Sequence, residues 1–584
     1  MSVEPSVRPR FDAPRRWVLR AGACDDSAVA ALADELGLPP ALCRLLIQRG
    51  HGSSDRARGF LRPVLDDLHD PRTLAGAAGA VDRIVRAIRT GERILAHGDY
   101  DVDGMCAAAL YTRVLRSLGA DIEAFVPHRL SDGYDLGHAG VRHAARTGAG
   151  LILTGDCGIV AHDAIDQASA QGIDVIVTDH HTPGDTLPGA VAIINPSRRD
   201  CAYPFKGLAG AGVAFKLCQA LVETMGGDRD ALRWHLDLVA LATIADLAPL
   251  TGENRILTHF GLRVLRATRK PGLRALMARA GIGTRAVPAA GQVSHVLAPR
   301  LNAVGRMGAA SRGVRLLLTD DDADAALLAD EMEAENHTRQ RVDRAMLDEA
   351  LAMLEDRFDP VTDYGIVLSS PDWHPGVIGI VASRVVERVH RPVVLIAEDA
   401  ATGRGRGSAR SIPAFHLYDG IHACAALLER YGGHRQAAGM DLRIDRIPAF
   451  RDAFNRYARS LLAPDDLIAE VKVDLEIPIA EAGAELCRLM RHCGPFGIGN
   501  PQPVFVARAV TAQHCKAVGD GHHLKMTLVQ GDARLPAIGF RMAERLRGID
   551  FASTAVDVAF HLQQDEWNGR DRLQARLIDV RAAE

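Results

Sequence analysis

From residue 75 onward, short runs of β-branched and aliphatic residues alternate with longer stretches whose apolar positions recur every three or four residues. The runs 93–96, 122–126, 151–154, 175–178 and 191–194 read as buried strands, and 76–89, 105–118 and 163–170 as helices. Strand then helix, repeated, is the pattern of a parallel sheet wound on both faces. The stretch 234–245 reads as an apolar helix that delivers Asp246 at its end. Residues 320–357 hold neither Gly nor Pro and are dense in Ala, Leu, Glu, Asp and Arg, which predicts a single helix. At 1.5 Å per residue such a helix spans about 50 Å, the reach of a strut between domains; a coiled-coil partner is the alternative.

Beyond that helix the alternation resumes, with strands at 365–368 and 392–396 and helices at 376–389 and 421–431. From about residue 467 the runs become short and evenly spaced, at 470–475, 504–510, 524–529 and 556–562, with glycines between them, which predicts a small β-barrel or sandwich. The first 75 residues are punctuated by Arg and Pro and carry two helical stretches, 28–36 and 41–48. The expected class is therefore α/β, with two α/β domains joined by a long helix and a β-barrel at the end. The segments are 1–75, 76–319, 320–358, 359–462 and 463–584.

A chain of 584 residues is too long for one core. No apolar run approaches the roughly 18 residues of a membrane span, and the first residues lack the apolar centre of a secretory signal, so a cytoplasmic protein with no membrane partner is expected. Ten scattered cysteines without a Cys-x-x-Cys pair favour free thiols. The net charge of −4 supplies no global basic field, so any polyanion must be held by local patches.

The chemistry gathers at the ends of the predicted strands. His97-Gly-Asp-Tyr-Asp101-Val-Asp103-Gly104 follows the first, Asp156-Cys-Gly a later one, Asp179-His180-His181 the next, and Asp246 ends its helix. In open α/β sheets, ligands bind beyond the carboxyl ends of the strands where strand order reverses. Carboxylates crowded there need cations between them. Glycines 98 and 104 would let backbone approach backbone. Imidazole and carboxylate together suit Mn²⁺ or Mg²⁺. Two such ions about 3.5–4 Å apart could clamp a phosphoryl group. His97, Asp101 and Asp103 are candidate ligands, Asp156 the bridging and catalytic carboxylate, and His180 and Asp246 ligands of the second ion, with the catalytic His181 toward the phosphate or the leaving oxygen. Singly, each element has a bland alternative: a helix-capping loop for Asp-His-His, a turn or calcium-like loop for Asp-x-Asp-Gly.

In combination the four ordered motifs resemble the DHH phosphoesterase superfamily, whose members use two divalent metals, commonly manganese, to hydrolyse phosphodiester or phosphoanhydride bonds. The resemblance implies the same six metal ligands and no missing acidic member. Gly403-Arg-Gly-Arg-Gly-Ser-Ala-Arg-Ser411 and Gly432-Gly-His-Arg-Gln-Ala-Ala-Gly439 read as polyanion grips, the first with a solvated flexible loop as its alternative. The second resembles the substrate motif of the DHH-associated domain. Trp373–Ser383, Arg300–Arg306 and Phe496–Pro501 extend the likeness to the superfamily's single-strand-specific 5′→3′ DNA exonucleases, whose further β-rich module is an OB fold. By that resemblance Arg129, Ser408 and Arg410 grip the 5′-terminal phosphate, His434 stabilises the scissile phosphate, and Arg300 and Arg306 contact substrate. A surface ion pair is the alternative for Arg129 and a structural hydrogen bond for His434. His522, His523, Lys525, Phe496 and Phe505 are the residues available for strand binding in the barrel, with Phe505 also a core candidate.

The expected activity is release of 5′-mononucleotides from single-stranded DNA in repair and recombination, by a monomer working with a helicase and a single-strand-binding protein. Two alternatives stand beside it: a phosphodiesterase for short oligonucleotides or cyclic dinucleotides, and a non-catalytic replication scaffold.

Overall fold

The computed structural model describes residues 15–20, 25–129, 132–133, 135–307, 310–567 and 570–583. The lead-in is a strand, β1 (Arg15–Leu19), followed by helices Asp26–Leu36 and Pro40–Gln48. The chain then separates into two compact units. One holds residues 25–336 and 483–502, the other 15–20, 337–482 and 503–583. The division falls inside one continuous helix, Asp322–Arg357, as the absence of Gly and Pro required.

The first unit is built on β2 (Ile94–Gly98), β3 (Ile122–Phe125), β4 (Leu151–Gly155), β5 (Asp174–Thr178) and β6 (Ala192–Ile194). They pair in the order β3-β2-β4-β5-β6, all parallel. Alternate residues feed two cores. Ile94, Ala96, Leu153 and Ile176 join helices Ala77–Thr90, Val102–Ser117 and Gly210–Met225. Leu95, Ile152, Val175 and Val177 join helices His138–Thr147 and His162–Ala170. A sheet covered on both faces explains why β2 and β4 are buried at every position and apolar almost throughout. The chain turns back between β2 and β4, and this switch point lies where His97 and Asp156 leave the sheet.

The apolar helix expected at 234–245 is present as Leu236–Ala245 with Asp246 at its end; it starts two residues late, after a turn at Trp234 and His235 that follows a short helix, Arg229–Arg233. The Trp234 carbonyl accepts from Lys270 Nζ at 2.9 Å, and its ring lies under the Arg269 guanidinium at 3.8 Å. Tertiary partners thus claim groups that a continuous helix would have used.

In the second unit, β7 (Ile366–Ser370), β8 (Val393–Asp399), β9 (Arg404–Arg410), β10 (Arg430–Gly433) and β11 (Ala437–Arg443) form a sheet in the order β10-β11-β9-β8-β7, with only β7 and β8 parallel. One alternative is excluded and one reading corrected here. The solvated loop that stood as the alternative for Gly403–Ser411 is excluded: most of the stretch is the central strand β9, whose glycines 405 and 407 face inward while Arg404, Arg406, Ser408 and Arg410 line the other face. The expected helix 421–431 is instead a short helix, Leu417–His422, followed by β10. Ile421, Leu427, Leu428 and Tyr431 still reach one core, so the burial pattern held while the backbone joined the sheet.

The remaining strands are β12 (Ala469–Val473), β13 (Leu475–Glu476), β14 (Phe505–Val518), β15 (His523–Gln530), β16 (Ala533–Gly539), β17 (Val556–Trp567) and β18 (Arg570–Ala582). β12 pairs in parallel with β1. β14 pairs with both β15 and β17, which closes β14-β15-β16-β18-β17 into a five-stranded barrel. β14 can serve two neighbours because its register shifts twice, near Ala509 and His514, both at positive φ of 48° and 54°. Phe505 is fully buried and belongs to the core. The nine cysteines among the described residues are free, eight of them buried. No helix among the described residues is long and apolar enough to cross a membrane.

Candidate metal centre

Three backbone devices bring the acids together. Asp101 caps helix Val102–Ser117, its Oδ1 accepting from the amides of Asp103 (2.9 Å) and Gly104 (3.1 Å). The loop is closed tightly enough that a Cβ on Gly98 would lie 2.1 Å from the Gly104 carbonyl oxygen. Asp103 is then clamped by the first amides of helix Gly210–Met225, with Gly210 N to Oδ2 and Ala211 N to Oδ1 both at 2.7 Å. Asp156 sits at φ +67° just beyond β4, its amide donating to the Thr178 carbonyl at 3.0 Å. Beneath it a buried hydroxyl chain fixes the turn. Tyr111 Oη meets Thr178 Oγ1 at 2.8 Å, Thr178 Oγ1 donates to the Thr154 carbonyl at 2.6 Å, and Thr154 Oγ1 donates to the Cys157 carbonyl at 2.7 Å.

Four predicted ligands converge. His180 Nε2 lies 3.0 Å from Asp156 Oδ1, 3.8 Å from Asp246 Oδ2 and 4.0 Å from Asp103 Oδ2. Asp103 and Asp156 are almost wholly buried. His180 Nε2 and Asp156 Oδ1 are both buried and, despite their separation, neither makes a hydrogen bond among the described residues, which leaves both atoms available to a shared cation. Asp103, His180 and Asp246 form one set with metal-ligand spacing, and Asp156, His180 and His181 another. Asp101 and His97 lie in neither set. The Asp101 charge nevertheless reaches Asp103, Asp156 and Asp246. His97 Nε2 is buried without a hydrogen bond, while Nδ1 faces Cys157 Sγ at 3.6 Å.

Electrostatics agree with the geometry. Burial, then the neighbouring carboxylates, push Asp103 up to about 7, Asp246 up to about 8, and Asp156 well above the carboxylate range. Burial, then the His181 charge, lowers His180 to about 4, leaving a neutral imidazole suited to ligation. His181 behaves oppositely. Burial works against its charge, but the hydrogen bond from Nδ1 to Asp179 Oδ1 (2.7 Å) and the surrounding carboxylates hold it up to about 9.

Asp179, quoted in the motif but given no role there, is the orienting residue. Its Oδ1 also accepts the amides of His180 (2.7 Å) and His181 (3.1 Å), and its Oδ2 that of Ile159 (3.0 Å). Asp99 is a further buried carboxylate in the first motif, with Oδ1 unpartnered. A donor set of buried carboxylates and neutral imidazoles, with no Lys or Arg paired to Asp103, Asp156 or Asp246 among the described residues, fits hard divalent cations.

The candidate substrate residues fall in separate places. Arg129 stacks on Tyr100 at 5.2 Å, and the charges of Arg129 and Arg306 both act on that phenol. Asn302 Oδ1 accepts the Val102 amide at 3.2 Å, tying the Arg300–Arg306 segment to the first motif, a contact that sequence did not reveal. Arg300 faces Glu333, with Nη2 to Oε1 at 3.0 Å, and holds helix to helix. In the second unit Arg410 Nη1 donates to Ser408 Oγ at 3.2 Å. Gly379 makes room for the pair, since a Cβ there would come 2.9 Å from Ser408 Oγ. His434 is exposed at the tip of the β10–β11 hairpin.

Family models match three stretches of the chain: DHH family, N-terminal domain at 93–243, DHHA1 domain at 362–460 and RecJ OB domain at 473–579. The single-stranded-DNA-specific exonuclease RecJ of Escherichia coli (strain K12) is 39% identical over 93% of this chain and 96% of its own length. The chain belongs to the RecJ family. Its RecJ relative in Bacillus subtilis (strain 168) is 37% identical over 97% of this chain and 71% of its own length. Among solved structures, RecJ in complex with Mn²⁺ from Thermus thermophilus aligns with a TM-score of 0.84 and 33% identity, covering 98% of this chain and 80% of that one. RecJ in complex with Mg²⁺ from the same organism aligns with a TM-score of 0.77 and 32% identity, covering 98% and 79%.

Proposed function

We propose that this protein is a metal-dependent, single-stranded-DNA-specific exonuclease that works 5′→3′ and releases 5′-mononucleotides in DNA repair and recombination. The carrying observation is the convergence of Asp103, Asp156, His180 and Asp246 without a lysine or arginine paired to the acids among the described residues, in a chain of the RecJ family. Two Mn²⁺ or Mg²⁺ ions are the cofactors, with His97, Asp101, Asp103, Asp156, His180 and Asp246 as their ligands. When bound, such ions polarise the phosphodiester and make water a competent nucleophile near neutral pH.

The chain's own groups do the rest. Amides at the start of helix Gly210–Met225 hold Asp103 with both oxygens fixed. Asp179 keeps a proton on His181 Nδ1, so Nε2 is the atom that can face the phosphate or donate to the leaving oxygen. Arg129, Ser408 and Arg410 grip the 5′-terminal phosphate, since guanidinium forks match phosphate geometry. His434 and Arg306 contact the strand; Arg300, engaged with Glu333, supports the fold of that segment and reaches substrate only if it exchanges partners. Single-stranded DNA is the macromolecular partner, with a helicase and a single-strand-binding protein supplying and presenting ends in the cytoplasm, and the protein acts as a monomer.

The test is hydrolysis of 5′- and 3′-labelled single and double strands with Mn²⁺ or Mg²⁺. Mononucleotides from the 5′ end of single strands only are expected. Release from 3′ ends, or equal cleavage of duplex, would refute the reading.

A further inference from the structure

Just beyond Asp246, two segments that carry exposed aliphatic side chains meet through a backbone hydrogen bond. Leu247 follows Asp246 directly, at φ +60° and 59% exposed. It fills the turn that ends helix Leu236–Ala245, where the Ala248 amide reaches back to the Thr243 carbonyl at 3.1 Å. Glycine commonly occupies such a left-handed position, because a branched side chain strains the backbone there. Here the strain is accepted although the fold buries little of the side chain in return. Ile498, 55% exposed, is presented by a second segment of the same unit. Its carbonyl accepts the Leu250 amide at 2.7 Å, and Asn500 Nδ2 ties the loop to the carbonyls of Cys493 and Pro495 at 2.9 Å each. Isolated exposed aliphatics are ordinary on protein surfaces. These two differ in sitting on segments tied together at Leu250, four residues beyond Asp246, one of them against its conformational preference.

We propose that Leu247 and Ile498 form an apolar ledge on which the bases of the 5′-terminal nucleotides pack while their phosphates engage the metal centre. The inference rests on the exonuclease reading. Unpaired bases present apolar faces, whereas bases in a duplex are already stacked and paired, so the ledge adds selectivity for single strands without hydrogen-bond readout.

The experiment uses the full chain with Mn²⁺ and two 5′-phosphorylated single strands, one natural and one with stable abasic analogues at its first three positions. The wild type is expected to favour the natural strand by about tenfold in kcat/KM. The double variant Leu247→Gly with Ile498→Ser should cleave both strands at the wild-type abasic rate, with unchanged Mn²⁺ affinity by calorimetry. Leu247→Gly alone should melt no lower than the wild type, since it relieves the turn. A double variant that keeps the preference, loses activity equally on both strands or binds Mn²⁺ more weakly would overturn the ledge. A wild type inactive on both strands would overturn the exonuclease reading, and the ledge with it.

Discussion

Asp237 and Glu253 are as deeply buried as Asp103 and Asp156 and lie in the same unit, but they face different company. Asp237 takes Lys270 Nζ at 2.7 Å and Thr268 Oγ1 at 2.6 Å. Glu253 takes Lys216 Nζ at 3.3 Å, Tyr203 Oη at 2.5 Å and the His69 amide at 2.9 Å. Each is neutralised and its hydrogen-bonding capacity is used by the fold. Asp103, Asp156 and Asp246 meet one another and a neutral His180 instead. A buried acid with a lysine is part of the architecture. Three acids that share two imidazoles, and have no lysine or arginine paired to them among the described residues, await a cation from outside.

The contrast can be broken at either end. Asp156→Asn keeps shape, and Asn tolerates the positive φ at this position. Single-strand hydrolysis should fall at least about a thousandfold, the loss of several kcal/mol of transition-state stabilisation, while the thermal midpoint holds or rises. Lys270→Ala should do the reverse, costing about 3–5 kcal/mol in a denaturant titration by stranding Asp237, with the folded fraction still binding Mn²⁺. Equal effects on stability from the two substitutions would erase the distinction drawn here.

Acidity sharpens the comparison further. Asp103 and Asp246, held up to about 7 and about 8, ionise well above the roughly 3.9 of an unfolded Asp. A raised carboxyl pKa costs stability, with no penalty below about pH 4 and the full penalty above about pH 8. Without metal, this contribution therefore weakens the fold as pH rises through that window. Mn²⁺ displaces the protons, so its stabilisation should be larger at pH 8 than at pH 6, read as the shift in thermal midpoint. A shift that is equal or larger at pH 6 would contradict the assignment. A smaller effect is expected from Thr178→Val, about 1–2 kcal/mol of stability with weakened Mn²⁺ affinity, because the hydroxyl chain beneath Asp156 loses its middle link.

Much of this was legible in the residues. The sheet was readable because strands buried on both faces are continuous apolar runs, and the site because parallel topology puts every strand's carboxyl end on one edge. The role of Asp179 was not, since it depends on three backbone amides that converge only after folding. Nor was β9, because a Gly-Arg alternation reads as a loop until neighbouring strands claim its backbone. The tie from Arg300 to Glu333, 33 residues away, was likewise not legible, since it forms only when the two helices pack.

The most direct test is a calorimetric titration of the full chain with Mn²⁺ at pH 8, comparing wild type with Asp156→Asn and Asp237→Asn. The expected result is two bound ions with proton release in the wild type and in Asp237→Asn, and weakened or lost binding in Asp156→Asn. Full binding by Asp156→Asn, or none by the wild type, would contradict the claim that the unpaired acids form a cation site.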